Sequence, residues 1–404
     1  MAEAVKLKRS VTLPMVTLYG LGTIIGAGIF VLIGEVAGIA GIYAPLAFLV
    51  ASIIAGFTAF SYAELSSRFP KSAGEAIYLE EVFHYSKLSI ATGLAVGLIG
   101  IISAATITNG AVGYIRIFFG LPPWLIILFL VVVLSLLAAW GINESVGVAA
   151  FTTAITLIGL IIVIAINGDA LATLPERLPE LVPHGREVWG LILFGGFVAF
   201  YAFIGFEDMI NIAEEVKEPS RNMPIAIVLA LVITTVLYLL ISLVAVLSHD
   251  PQMLAASDAP LAALIGEDQH MIKLVIGIIS IFAIADGILI QIIKTSRILY
   301  GMSSQRLIPA LFASVHPRTQ TPLLATAFVA ALVLLLALAL PLLTLAETTS
   351  FITLIVFTAV NLALWRLKMK GGSPQAEVIN LPIWVPAIGG LLCVSFILIQ
   401  LLQW

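Results

Sequence analysis

The chain has 404 residues, of which 61% are hydrophobic and 10% charged, with a net charge of −4 and a mean hydropathy of +1.15. Soluble domains hold about half apolar and about a quarter charged residues, so a water-soluble enzyme, a secreted disulfide scaffold and a disordered regulator are excluded. There is no basic face for nucleic acid, and the single cysteine, Cys393, excludes a disulfide framework or a multi-cysteine metal site.

A hydrocarbon core about 30 Å thick takes about 20 apolar residues in a helix. Taken in chain order, runs of that kind fall at 14–37, 42–66, 88–117, 123–142, 146–167, 188–212, 224–247, 272–301, 322–343, 349–365 and 383–403. These runs are too long for outer-membrane strands of about ten alternating residues. The predicted fold is therefore an all-α integral membrane protein of about eleven spans, residues 1–404 forming one transmembrane domain. Lys6, Lys8 and Arg9 precede the first run, whose length does not suit a cleavable signal. They predict a cytoplasmic N-terminus. With that orientation, of the 19 Lys and Arg only Arg116, Arg177, Arg186 and Lys273 fall outside. The outer loops 168–187 and 248–271 are acidic, which solvation explains as well as cation attraction does. The glycosylation triplet at Asn143 falls on an expected cytoplasmic turn and is discounted.

The first run is crowded with Gly20, Gly22, Gly26 and Gly28. No strand precedes them, so a nucleotide loop is excluded; unwinding in mid-membrane is the expectation, tolerated where backbone lines a cavity. The sixth run carries Gly195, Gly196 and Gly205, followed by Glu207 and Asp208. Gly26 and Gly205 stand 179 positions apart, five runs beginning at each break. Paired interruptions at matching places point to an inverted-repeat transporter, here with repeats at about 14–167 and 188–366 and an extra helix at 383–403. A broken helix frees N–H groups on one half and carbonyls on the other; the first suits a carboxylate and the second an ammonium. A zwitterionic amino acid matches both. Glycine lets its head group approach the backbone.

At these residues the chain resembles the amino acid permeases of the amino acid–polyamine–organocation (APC) superfamily, with the LeuT-type 5+5 inverted repeat and discontinuous helices 1 and 6. The likeness rests on Gly22-Thr-Ile-Ile-Gly-Ala-Gly-Ile-Phe30, Tyr62-Ala-Glu-Leu with Phe69-Pro-Lys-Ser-Ala-Gly74, Ala202-Phe-Ile-Gly-Phe-Glu207 with Ala213-Glu-Glu-Val-Lys-Glu-Pro-Ser-Arg-Asn-Met-Pro224, and Ser296-Arg-Ile-Leu-Tyr-Gly-Met302 with Leu307-Ile-Pro309. The sixth-helix stretch looks closest to bacterial relatives of the cationic amino acid transporters. The resemblance implies a substrate site at Ile24, Ile25, Gly26, Ala27, Gly28, Tyr201, Ile204 and Gly205. Gly26, Ala27 and Gly28 would offer N–H groups to the carboxylate. The carbonyls of Ile24 and Ile204 would face the ammonium. Tyr201 would be an aromatic gate, although its stripe with Phe197 and Phe200 also reads as packing. Where some proton-coupled relatives carry a lysine after Thr156-Leu-Ile, this chain has Gly159. Most relatives have twelve helices, against eleven expected here.

Ionisable groups inside spans are functional by default. Glu207 reads as a titrating or gating carboxylate. Asp286, in the eighth run, reads as a proton or cation site opposite Gly159, or as a helix–helix contact. Asp208 is expected to face another surface and Lys294 to snorkel. Glu35 reads as a wetted helix end or outer-gate residue. Glu64, Glu214, Glu215, Lys217 and Arg221 are expected in cytoplasmic ion pairs. The expected function is secondary active amino acid transport, as proton-coupled symport or exchange, with a proton or sodium ion as the co-transported candidates. A polyamine or organic-cation transporter is the alternative, and a sensor without flux the lesser one. No metal, cofactor or enzymatic centre is expected.

Overall fold

The computed structural model describes residues 9–26, 28–70, 74–140, 146–371 and 379–403. Lys6, Lys8, Ala27, Lys71 and the Asn143 triplet lie outside them. Among the described residues the regular structure is helical, apart from one isolated bridge between Val11 and Val216.

The helices are α1 (Leu13–Ile25), α2 (Gly28–Ala40), α3 (Ala44–Arg68), α4 (Gly74–Phe83), α5 (Ser86–Arg116), α6 (Pro123–Trp140), α7 (Val146–Ile166) and the short α8 (Leu174–Arg177). They continue with α9 (Arg186–Phe200), α10 (Pro219–Ser248), the short α11 (Pro251–Ala255) and α12 (Pro260–Ala263), then α13 (His270–Ser304), α14 (Leu323–Ala339), α15 (Leu342–Met369) and α16 (Trp384–Gln403). Proline opens α1, α3, α10, α11 and α12, where its missing N–H and fixed φ cost nothing. The Asp250 carboxylate accepts from the Gln252 N–H at 2.7 Å and caps α11.

Nine described helical stretches are long and apolar enough to cross a bilayer. One of them, Gly28–Arg68, turns at Gly41 (φ +58°) and holds both α2 and α3. α14 is a shorter apolar helix. α1 and α2 have 13 residues each, about 20 Å, so neither crosses the core alone. Trp124 and Trp140 lie exposed at the two ends of α6, about 24 Å apart, as interfacial anchors do. Between them Phe129 and Leu136 are exposed, an apolar belt suited to lipid.

Helix packing without a hydrophobic drive favours small residues. In α3, Ala47, Ala51, Ala55, Ala59 and Ala63 recur every fourth position and are all buried. α3 packs on α9, α10 and α16; α13 packs on α5; α1 packs on α7 and α10. Gly195 and Gly196 were expected to break the sixth run, but α9 is helical through both. A methyl on Gly195 would meet the Ala40 and Ala47 methyls at 3.0 and 3.3 Å, and one on Gly196 the Ala47 carbonyl at 3.3 Å. They are contact glycines. Gly20 and Gly22, inside α1, likewise pack on Met209 and Thr153.

Arg68 and Arg177 lie towards opposite ends of α10. The Ser67 hydroxyl, beside Arg68, donates to the Ser220 carbonyl at the start of α10, whereas Arg177 donates to the Leu247 carbonyl at its other end. α10 has 30 residues, about 45 Å along its axis.

Candidate functional site

The first break follows Ile25. The Gly26 N–H closes the last turn of α1 on the Gly22 carbonyl at 2.9 Å, so it is already used. α2 begins at Gly28, and the first N–H groups of a helix have no intrahelical partner. Ala27 is outside the described residues. The second break follows α9. A single 3-10 turn, Tyr201–Phe203, leads to extended Ile204 and then to Gly205 at φ +130°. Chain direction recovers as an unusually long 3-10 stretch, Phe206–Glu215.

The two breaks touch each other reciprocally. A methyl on Gly28 would sit 2.4 Å from the Ala202 Cα. One on Gly205 would sit 2.4 Å from the Thr23 carbonyl oxygen. Only glycine lets the start of α2 lie on the turn of the second break, and the second break lie on the end of α1. Between them is a cavity of about 30 Å³ lined in part by Ile24, Gly26, Gly28, Tyr201 and Ile204. That is room for water rather than an amino acid, so the breaks are drawn together in this conformation. A larger cavity of about 740 Å³ lies away from them, beside Glu35, Arg116 and Asp258. Arg116 and Asp258 pair there at 3.1 Å.

The Tyr201 hydroxyl and the Ser103 hydroxyl are 2.9 Å apart, and Tyr201 also donates towards the Ser103 carbonyl at 3.3 Å. This ties the turn to α5. The Glu207 carboxylate accepts the Gly205 N–H at 2.8 Å, holding the second break from its own side. Asp208 does not face away: it lines the cavity, and both its oxygens accept from Lys294 of α13 at 2.8 and 2.9 Å. Lys294 is therefore buried and paired rather than snorkelling. Gly159 of α7 packs on Ile279 of α13, where a methyl would meet its Cγ2 at 2.8 Å. Asp286 is half-buried two turns further along α13, so Gly159 and Asp286 are not brought opposite one another.

Beside this site, the Tyr62 hydroxyl donates to Glu75 of α4 at 3.0 Å. Burial holds the Glu75 carboxyl above the usual carboxylate range. Among the charges expected to pair at one end, Glu64 is fully buried and takes Arg68 and Lys368, each at 2.6 Å, while Arg221 reaches Glu218 at 3.9 Å on the surface.

A residue that joins the two breaks and that the sequence did not flag is Tyr238 of α10. Its hydroxyl lies 3.2 Å from the Ile24 carbonyl and 3.0 Å from the Ala202 carbonyl, bridging both breaks. Nothing in its run of Thr, Val and Leu neighbours marks it. Tyr238→Phe leaves two buried carbonyls without this donor and is expected to destabilise the fold by about 1–3 kcal/mol, read as an earlier midpoint in an SDS unfolding titration.

A family model described as amino acid permease matches residues 12–403. The chain belongs to the amino acid permease family. It is 32% identical to a vacuolar cationic amino acid transporter 4 of Arabidopsis thaliana over 84% of the chain and 60% of that relative. It is 28% identical to the branched-chain amino acid permease BcaP of Bacillus subtilis, over 97% of the chain and 88% of the relative. A methylthioribose transporter of the same bacterium is 30% identical over 98% of the chain and 89% of the relative. The chain thus spans about 60% of the length of the plant relative. Family membership agrees with a multi-pass helical membrane protein that is not an enzyme.

Proposed function

We propose that the chain is a secondary active amino acid transporter working by alternating access, with its substrate held between the two breaks. The reading rests on one observation: the start of α2 and the end of α1 meet the second break at Gly28 and Gly205, with no room for a side chain at either contact. In the working cycle, N–H groups from Gly28 onward receive the carboxylate. Carbonyls at the end of α1, around Ile24 and Ile25, and at Ile204 receive the ammonium. Tyr201 covers the site. The chain is read as a 5+5 inverted repeat at about 14–167 and 188–366, with α16 outside it. It lies in the plasma or inner membrane with a cytoplasmic N-terminus, as the basic residues favour.

The driving force is a proton gradient, a sodium gradient or an exchanged amino acid. Uptake of labelled amino acids into proteoliposomes, with and without each gradient, separates the three. Accumulation that collapses with a protonophore assigns proton symport and makes Glu207 and Asp286 the first carboxylates to replace. Uptake only into preloaded vesicles assigns exchange. No uptake of any amino acid by folded protein overturns the reading and directs the search to amines.

A further inference from the structure

Asp208 is the one charged residue among the described residues lining the cavity between the breaks. A lone carboxylate there would favour a cationic substrate. It is not alone. Lys294 donates to both of its oxygens, and the two side chains are only 12% and 5% exposed. The lysine reaches Asp208 from α13, one turn beyond the cavity-lining Ile290 and Gln291. The protein thus carries its own ammonium in the place a cationic side chain would take. Of the neighbouring carboxylates, Glu207 accepts the Gly205 N–H and Glu75 the Tyr62 hydroxyl, and neither lines the cavity.

Among the described residues, the rest of the cavity wall is uncharged. Gln291 is 8% exposed and lines the cavity, with its Oε1 lying towards Gly100 of α5. Ile107 and Ile290 supply the apolar remainder.

We propose that Lys294 is a tethered counter-ion that reserves this cavity for amino acids with uncharged side chains. The inference rests on the transport reading above. A cationic side chain would have to displace Lys294 from Asp208 and leave that ammonium buried without its partner, which is strongly unfavourable. Discrimination here comes from an unfavourable element built against the wrong ligand.

The test is competition for uptake in proteoliposomes, with alanine, serine and leucine against lysine, arginine and ornithine. Wild-type protein is expected to favour the uncharged set by at least about tenfold. Lys294→Met frees Asp208 and is expected to improve competition by the cationic set at least about tenfold, whereas Lys294→Arg keeps the wild-type ranking. Should Lys294→Met fail to fold, the double variant Asp208→Asn/Lys294→Met, which removes both charges, is expected to keep the uncharged set ahead. A wild-type preference for cationic amino acids overturns the inference and leaves the transport reading standing. So does folded Lys294→Met with an unchanged ranking, or a double variant that turns to the cationic set. Wild-type protein that takes up no amino acid overturns the transport reading and this inference together.

Discussion

Gly205→Ala is expected to abolish most transport, with uptake falling on the order of a hundredfold. Two independent costs act at this position. The φ of +130° is open to glycine and strained for any other residue, worth about 1–3 kcal/mol. The added methyl would also lie 2.4 Å from the Thr23 carbonyl and 3.0 Å from the Ile24 nitrogen. These are backbone atoms and cannot rotate away, so α1 and the second break must separate. Gly195→Ala is the informative control. It meets side-chain methyls at 3.0 Å or more within an intact helix, so its uptake should stay within a few-fold of wild type. Initial uptake rates of both variants, normalised to folded protein, check the pair. Equal losses would mean that the second break has no special place in the cycle.

Glu64→Ala is expected to destabilise the protein by about 3–5 kcal/mol, because it strands two cations whose shared partner was buried. Arg68 and Lys368 both contact the same oxygen, Glu64 Oε1, and the other oxygen accepts the Leu381 N–H at 2.9 Å. One carboxylate thereby joins α3, α15 and the strand of chain that enters α16. Removing it costs charge balance and a backbone hydrogen bond together. The exposed Arg221–Glu218 pair gives the contrast: Glu218→Ala should change stability by less than about 1 kcal/mol. SDS unfolding titrations of the two variants, with monodispersity in detergent, measure the difference.

The spans were legible because apolar runs of the required length need no knowledge of their neighbours. The breaks were legible in part. Glycine serves both close helix contact and irregular backbone, and composition alone does not separate Gly195, in a straight helix against Ala47, from Gly205, at a turn. What distinguishes them is the chain around each: α9 continues past Gly195, whereas Ile204 is extended before Gly205. The Asp208–Lys294 pair was hidden for another reason. Helical periodicity tells which residues share a face, not which helix lies opposite, and these two are 86 positions apart. Tyr238 was hidden in the same way, an aromatic residue among lipid-like neighbours whose hydroxyl acquires meaning only where α1 and the second break converge.

That hydroxyl has a limit set by valence. Tyr238 owns one hydrogen and stands within bonding distance of two carbonyl oxygens, at Ile24 and Ala202. The two carbonyls therefore share that one hydrogen. An ammonium group has three hydrogens and no acceptor; on the proposed transport reading, one placed beside Ile24 would add a donor there and leave the hydroxyl to Ala202. A neutral amine or an ether oxygen presents fewer hydrogens or none to the same oxygens. Under the proposed function, the count of hydrogens at this single phenol would suit a protonated amine at the meeting point of the two breaks, before any side chain of the ligand is considered.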